Sequence, residues 1–175
     1  FAKTRVRHQP LLESLSSYLK ERPQVIARMV PLDILYTASS LARMQMYDVG
    51  VFQLLAAAIL QSPKVSAKQS IYLIQSFSQA QCLESTLVEG LAPILHLALQ
   101  RGGKDPSISD WVVALGAVTS GTLSSPTIDD LCSSIISMAT QHMERGGAMS
   151  GLNISQLLRA LSRRPHGTNA MHLTQ

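Results

Sequence analysis

The chain repeats itself. Residues 31–60, PLDILYTASSLARMQMYDVGVFQLLAAAIL, and residues 67–96, AKQSIYLIQSFSQAQCLESTLVEGLAPILH, match on a shift of 36 residues. That shift brings Leu35 onto Ile71, Tyr36 onto Tyr72, Ala38 onto Ile74, Leu41 onto Phe77, Val51 onto Leu87, Leu55 onto Leu91 and Ile59 onto Leu95. Within each copy the apolar positions recur at helical spacing in two runs, with Asp48 or Glu84 opening the second. Each copy therefore reads as a helical hairpin. A period of this length with two helices per unit predicts an α-solenoid, because no single hairpin can bury its apolar face without a neighbour.

A third copy follows at a shift of 41, with Val112, Leu115, Val118, Ile128, Cys132 and Ile136 in the same columns. A further shift of 43 sets Leu115 on Leu158 and Val118 on Leu161 before Pro165 ends the pattern. The expectation is all-α: an α-solenoid of three to four stacked antiparallel hairpins, at about 31–62, 66–102 and 106–146 with a half repeat at 153–164. A basic arm (1–9) precedes this helical-repeat domain (10–164) and an aperiodic tail (165–175) follows it. Pro10 is placed to open a helix with the apolar face Leu11, Leu12, Leu15, Tyr18 and Leu19, ended by Pro23, which resembles the second half of a hairpin.

Helix boundaries are written in capping chemistry. Ser66 with Gln69 and Asn153 with Gln156 have capping-box spacing, while Asp105-Pro106 and Ser125-Pro126 pair a cap with a first-turn proline. Arg101-Gly102-Gly103 and Arg145-Gly146-Gly147 each supply a last-turn cation and a glycine for a left-handed cap, which accounts for these two RGG triplets without RNA.

No chemistry of catalysis is assembled. Ser17-Tyr18-Leu19-Lys20 matches an SxxK motif by letter alone, and no phosphate loop or dinucleotide fingerprint occurs. His8, His96, His142, His166 and His172 fall on separate elements, and Asp129-Asp130 sits where first-turn acids favour the helix dipole. Cys82 and Cys132 have no CxxC partner and read as reduced thiols, Cys132 in a core column, so no metal and no cofactor is expected. The apolar run 52–60 is far short of the roughly 20 residues that span a bilayer.

Charge is laid out unevenly: +4 over residues 1–30, −3 over 31–149 and +3 over 150–175. The opening FAKTRVRH, basic and free of acid, fits the remainder of a trimmed presequence or the middle of a longer protein. On the first helices two polar columns run along the array, Ser39, Gln75, Gly116, Arg159 and Arg43, Gln79, Ser120, Arg163, four residues apart and hence on one face. None of the eight is an acid. A solvated outer face would explain them, and so would contact with phosphate and base edges. The candidate RNA-binding residues are Lys3, Arg5, Arg7, Ser39, Arg43, Gln75, Gln79, Ser120, Arg159, Arg163 and Arg164.

The unit LDILYTASSLARMQMYDVGVFQLLAAAIL, with its small-residue pair after the first core and its D-x-x-V/L-F/V start to the second helix, resembles heptatricopeptide and octotricopeptide repeats and the helical repeats of FAST-kinase-like proteins. The resemblance covers about residues 31–164, and no RAP domain is visible after it. It implies a non-enzymatic RNA-binding protein of the mitochondrial matrix, acting on rRNA or an organellar transcript as part of a mitochondrial ribosome or another ribonucleoprotein. Neighbouring protein subunits would cap the solenoid ends. The alternative class is a protein-binding scaffold or accessory subunit of another mitochondrial complex.

Overall fold

The computed structural model describes residues 8–102, 105–121 and 123–163. Among these there is no strand, and the helices are α1 (Gln9–Glu21), α2 (Pro23–Ala27), α3 (Pro31–Arg43), α4 (Val49–Leu60), α5 (Ala67–Gln79), α6 (Ser85–Arg101), α7 (Ile108–Val118), α8 (Pro126–Glu144) and α9 (Gly151–Arg163). They stack in two layers. The first helices α3, α5, α7 and α9 pack side by side, and the second helices run α1, α4, α6, α8 beside them, with short α2 on α1 and α4. Hairpin pairs α3·α4, α5·α6 and α7·α8 join the layers.

One helical step separates the faces of each helix, and this shows in the burial. On the first helices Ala38, Ile74 and Leu115, then Leu41, Phe77 and Val118, lie buried between the layers. On α7 the residues before these, Ala114 and Ala117, are buried, the Ala117 carbonyl accepts from Ser78 Oγ of α5 at 3.1 Å, and Asp110, one turn before Ala114, accepts from Tyr72 Oη of α5 at 2.9 Å. On the second helices Val51, Leu87 and Ile128 are buried, and so is the residue after each on α4 and α6, Phe52 and Val88, while the corresponding Asp129 of α8 is exposed. Phe52 meets Phe77 edge to face at 4.9 Å.

On the outer edges of α3 and α8 these columns run out in polar residues. Asp33 and Ser40 of α3, in the column filled later by Asp110 and Ala117, are exposed, as are Asp129 and Ser133 of α8, in the column of Val88 and Ala92. Internal junctions of the second layer are clamped at helix N-termini: Ser16 and Lys20 donate to Asp48, Lys20 at 2.9 Å, Gln53 donates to Glu84 at 3.0 Å, and His96 approaches Asp130 at 3.5 Å. Asp48 also caps α4 through the Val51 N–H.

Several local expectations are corrected. The cap of α7 is Ser107 in a capping box with Asp110; Asp105 instead pairs with Lys68 at 2.9 Å. At α9 the Ser150 hydroxyl accepts the Asn153 N–H, and Asn153 is buried within the helix, donating to Ser109 Oγ at 2.7 Å. Glu84 caps α6 by position without a side-chain bond to its N-terminus, being drawn aside to Gln53. Leu11, Leu15 and Tyr18 of α1 are exposed while Leu12, Ser16 and Leu19 are buried against α4. Leu158 and Leu161 keep their register but stand exposed, because no second helix covers them among the described residues.

Helix ends carry a feature the glycine pattern does not announce. Gly102 and Gly146 take the left-handed conformation expected of them, with φ of 60° and 76°. Gln45 and Gln81, 36 residues apart, take it too, each at φ 56°. Behind them the Met46 N–H reaches the Leu41 carbonyl at 3.0 Å and the Cys82 N–H the Phe77 carbonyl at 2.9 Å, the wide bond of a Schellman motif, with buried Met46 and Cys82 following.

Candidate nucleic-acid interface

The polar columns sit at the C-terminal ends of α3, α5, α7 and α9, on the side of the first layer away from the second helices. Six of the eight positions, Gln75, Gln79, Gly116, Ser120, Arg159 and Arg163, line one groove of about 200 Å³ that crosses α5, α7 and α9. Ser39 is half-buried and Arg43 exposed on α3, outside that groove. Lys3, Arg5, Arg7 and Arg164 lie outside the described residues.

The groove is floored by small groups. A Cβ built on Gly116 would meet nothing within 4 Å, so the absent side chain leaves open space rather than a packing contact. The Ser120 hydroxyl lies 2.7 Å from both the Ala117 carbonyl and Ser78 Oγ, which ties α7 to α5 and leaves Ser120 less available to a ligand than its position suggests. Arg159 and Arg163 take part in none of the observed ion pairs. Sequence reasoning missed Gln156, which lines the same groove and whose Oε1 is buried with no hydrogen-bond partner. Its place three residues before Arg159, on the same helical face, is the signal that could have found it.

Electrostatics sorts the two ends of the first layer. Near the N-terminal ends of α5 and α7, Asp105 is paired with Lys68 and the Asp110 carboxylate is held by hydrogen bonds. Partial burial pushes the Asp110 carboxyl up, but hydrogen bonds from the Ser107 hydroxyl and N–H and from Tyr72 outweigh it and hold it below the usual range. At the C-terminal ends the helix dipoles present partial negative charge, which favours cations such as Arg43 and Arg163 for structural reasons alone and would repel a bare phosphate. An anion in the groove therefore depends on the arginines.

A second, larger groove of about 540 Å³ lies between α1 and the α3–α4 turn and contains Ser16, Lys20 and Asp48. Burial works to raise the Asp48 carboxyl, and bonds from Ser16, Lys20 and the Val51 N–H more than offset it. Both cysteines are buried thiols, and burial pushes that of Cys82 up. Among the described residues no group of three or more His, Cys, Asp or Glu is placed to hold a metal ion, and no helix is long and apolar enough to cross a membrane.

Comparison with protein-family models, with curated proteins and with solved structures finds no match to the chain in any of the three.

Proposed function

We propose that this chain is a non-catalytic RNA-binding helical-repeat protein of the mitochondrial matrix, a structural component of a mitochondrial ribosome or another ribonucleoprotein. The observation that carries the reading is the convergence of two arginines, two glutamines, a serine and an open glycine, with no acid, in one groove across three successive repeats. Arg159 and Arg163 would hold phosphate, while Gln75 and Gln79 offer donor and acceptor to base edges. The organellar assignment is supported by the repeat resemblance.

Anisotropy of a labelled single-stranded RNA against salt tests it. If Lys3, Arg5, Arg7, Arg159, Arg163 and Arg164 each neutralise one phosphate, the logarithmic slope is about −4, and Arg159→Ala with Arg163→Ala reduces it by about 1.4. Gln75→Ala changes base preference more than affinity. Binding that survives the double arginine variant unchanged refutes the groove. The competing reading, a protein-binding scaffold, draws on the exposed apolar side chains at both ends of the stack, and it predicts no salt-dependent RNA binding at all.

A further inference from the structure

The outward face of the first layer is wider than its two polar columns. One turn before Ser39, Gln75, Gly116 and Arg159 a third column holds Tyr36, Tyr72, Val113 and Gln156, at the same shifts of 36, 41 and 43 residues. Val113 and Gln156 line the groove beside Gly116 and Arg159, so this column opens on the same surface. At its other end Tyr36 is 61% exposed, the most exposed of the four tyrosines. The rest are placed differently: the Tyr18 ring carries the Arg22 guanidinium at 4.9 Å, Tyr47 borders the groove beside α1, and the Tyr72 hydroxyl is held by Asp110 at 2.9 Å. Tyr36 has no such engagement among the described residues. One repeat earlier the place of Asp110 is taken by Gln69, whose side chain accepts the Ser66 N–H at 2.9 Å to complete the capping box of α5.

We infer that Tyr36 is a base-stacking residue, on whose ring one base of a single strand lies as the strand leaves the groove across α5. The inference rests on the RNA-binding function proposed above. An unpaired base covers its apolar faces only by stacking, and an aromatic ring supplies a matching face at little cost in side-chain entropy. A lone exposed aromatic is ordinary on a protein surface, and what sets this one apart is its position. Tyr36, Ser39 and Arg43 follow i, i+3 and i+7 along one face of α3. Arg43 is exposed, takes part in no ion pair among the described residues, and lies about 10 Å along the helix axis from Tyr36, where it can meet the backbone of a strand whose base is on the ring. Because α3 packs directly on α5, which walls the groove, the strand crosses one helix spacing of about 8–10 Å to reach the ring. The one acid of α3, Asp33, stands on the outer edge of the helix, away from α5.

Anisotropy on the full chain tests this with three labelled probes: a uridine homopolymer, an adenosine homopolymer and an abasic ribose-phosphate strand. Tyr36→Ala weakens binding of both homopolymers about five- to 150-fold, the range of one lost base–aromatic stack. It leaves the salt slope unchanged, because a neutral ring displaces no counterion. Tyr36→Phe keeps the ring and binds like the parent, and the abasic strand does not distinguish the three chains. Tyr36→Trp gives a direct readout: the natural tryptophan, Trp111, is 4% exposed, so the added indole is the one at the surface, quenched by saturating homopolymer and not by the abasic strand. Should Tyr36→Ala disturb folding by circular dichroism, an unquenched Tyr36→Trp chain at saturation is the result that overturns the inference. Tyr36→Ala that binds every probe like the parent, while Arg159→Ala with Arg163→Ala binds more weakly, overturns the stacking and leaves the groove standing. Tyr36→Phe as weak as Tyr36→Ala also overturns it, since the hydroxyl and not the ring would then make the contact. A parent that binds none of the probes overturns the inference together with the function it rests on.

Discussion

Gly116 offers a way to separate the stability of the stack from its ligand. It lies in the last turn of α7, and glycine within a helix costs about 0.5–1 kcal/mol relative to alanine through backbone entropy. An added Cβ meets nothing within 4 Å, and the backbone is not left-handed, so Gly116→Ala recovers that amount with no packing penalty. For a chain of this size the gain raises the melting temperature by about 1–4 °C. Gly116→Glu keeps most of the helical gain but sets a carboxylate on the groove floor. A phosphate about 6 Å away would be repelled by roughly 0.7–2.8 kcal/mol for effective dielectrics from 80 to 20, or about three- to a hundredfold in affinity at low salt. Urea melts followed by the single tryptophan, Trp111, buried on the same helix, report the first quantity, and RNA anisotropy the second. A destabilised Gly116→Ala would show that the space is not open. A Gly116→Glu chain that binds RNA like the parent would show that the groove is not where RNA lies.

Gln81→Gly relieves a left-handed L-residue at a helix end and stabilises the chain by about 1 kcal/mol, measured by urea unfolding; a loss of stability would mean that the glutamine side chain contributes more than its backbone costs. The Asp110 carboxyl is held below its ordinary 3.8, so its contribution is complete above that value and is lost as pH falls from about 4 toward the folded value. Asp110→Asn therefore lowers stability at pH 7 by about 1–2 kcal/mol and flattens the acid limb of the stability curve; an unchanged limb refutes the assignment. Cys132→Ala, a truncation at a 2% exposed core position, costs on the order of 1 kcal/mol in the same melts.

The layered stack is legible in the sequence because a translation of the chain that keeps apolar columns in register describes packing as well as pattern. Leu41, Phe77 and Val118 superpose as letters and also lie buried at the same depth. Local signals mislead where two of them compete. Asp105-Pro106 has the form of a helix start, yet Ser107 and Asp110 satisfy each other reciprocally and begin the helix later. The caps at Gln45 and Gln81 carry no glycine to announce them, and only their recurrence at the repeat spacing marks them. Periodicity cannot distinguish covered leucines from uncovered ones, so Leu158 and Leu161 read as core. The groove is half legible: its columns follow from helix geometry, but the sharing of Ser120 with Ser78 and the approach of Gln156 depend on how closely first helices pack.

Among the described residues each helix packs chiefly on its own hairpin and the adjacent units, so the main contacts span less than about two repeats of chain. Such a topology has low contact order, so folding needs no distant loop closure and can begin at any hairpin. The α5–α6 hairpin, flanked on both sides, is the natural place for nucleation and for the slowest amide exchange. α9 leans chiefly on α7, and α1 on α4 and α2, so the two ends open at free energies below that of global unfolding. The groove's two arginines thus ride on an end helix, and a ligand spanning α5 to α9 would be felt as slower fraying at that end.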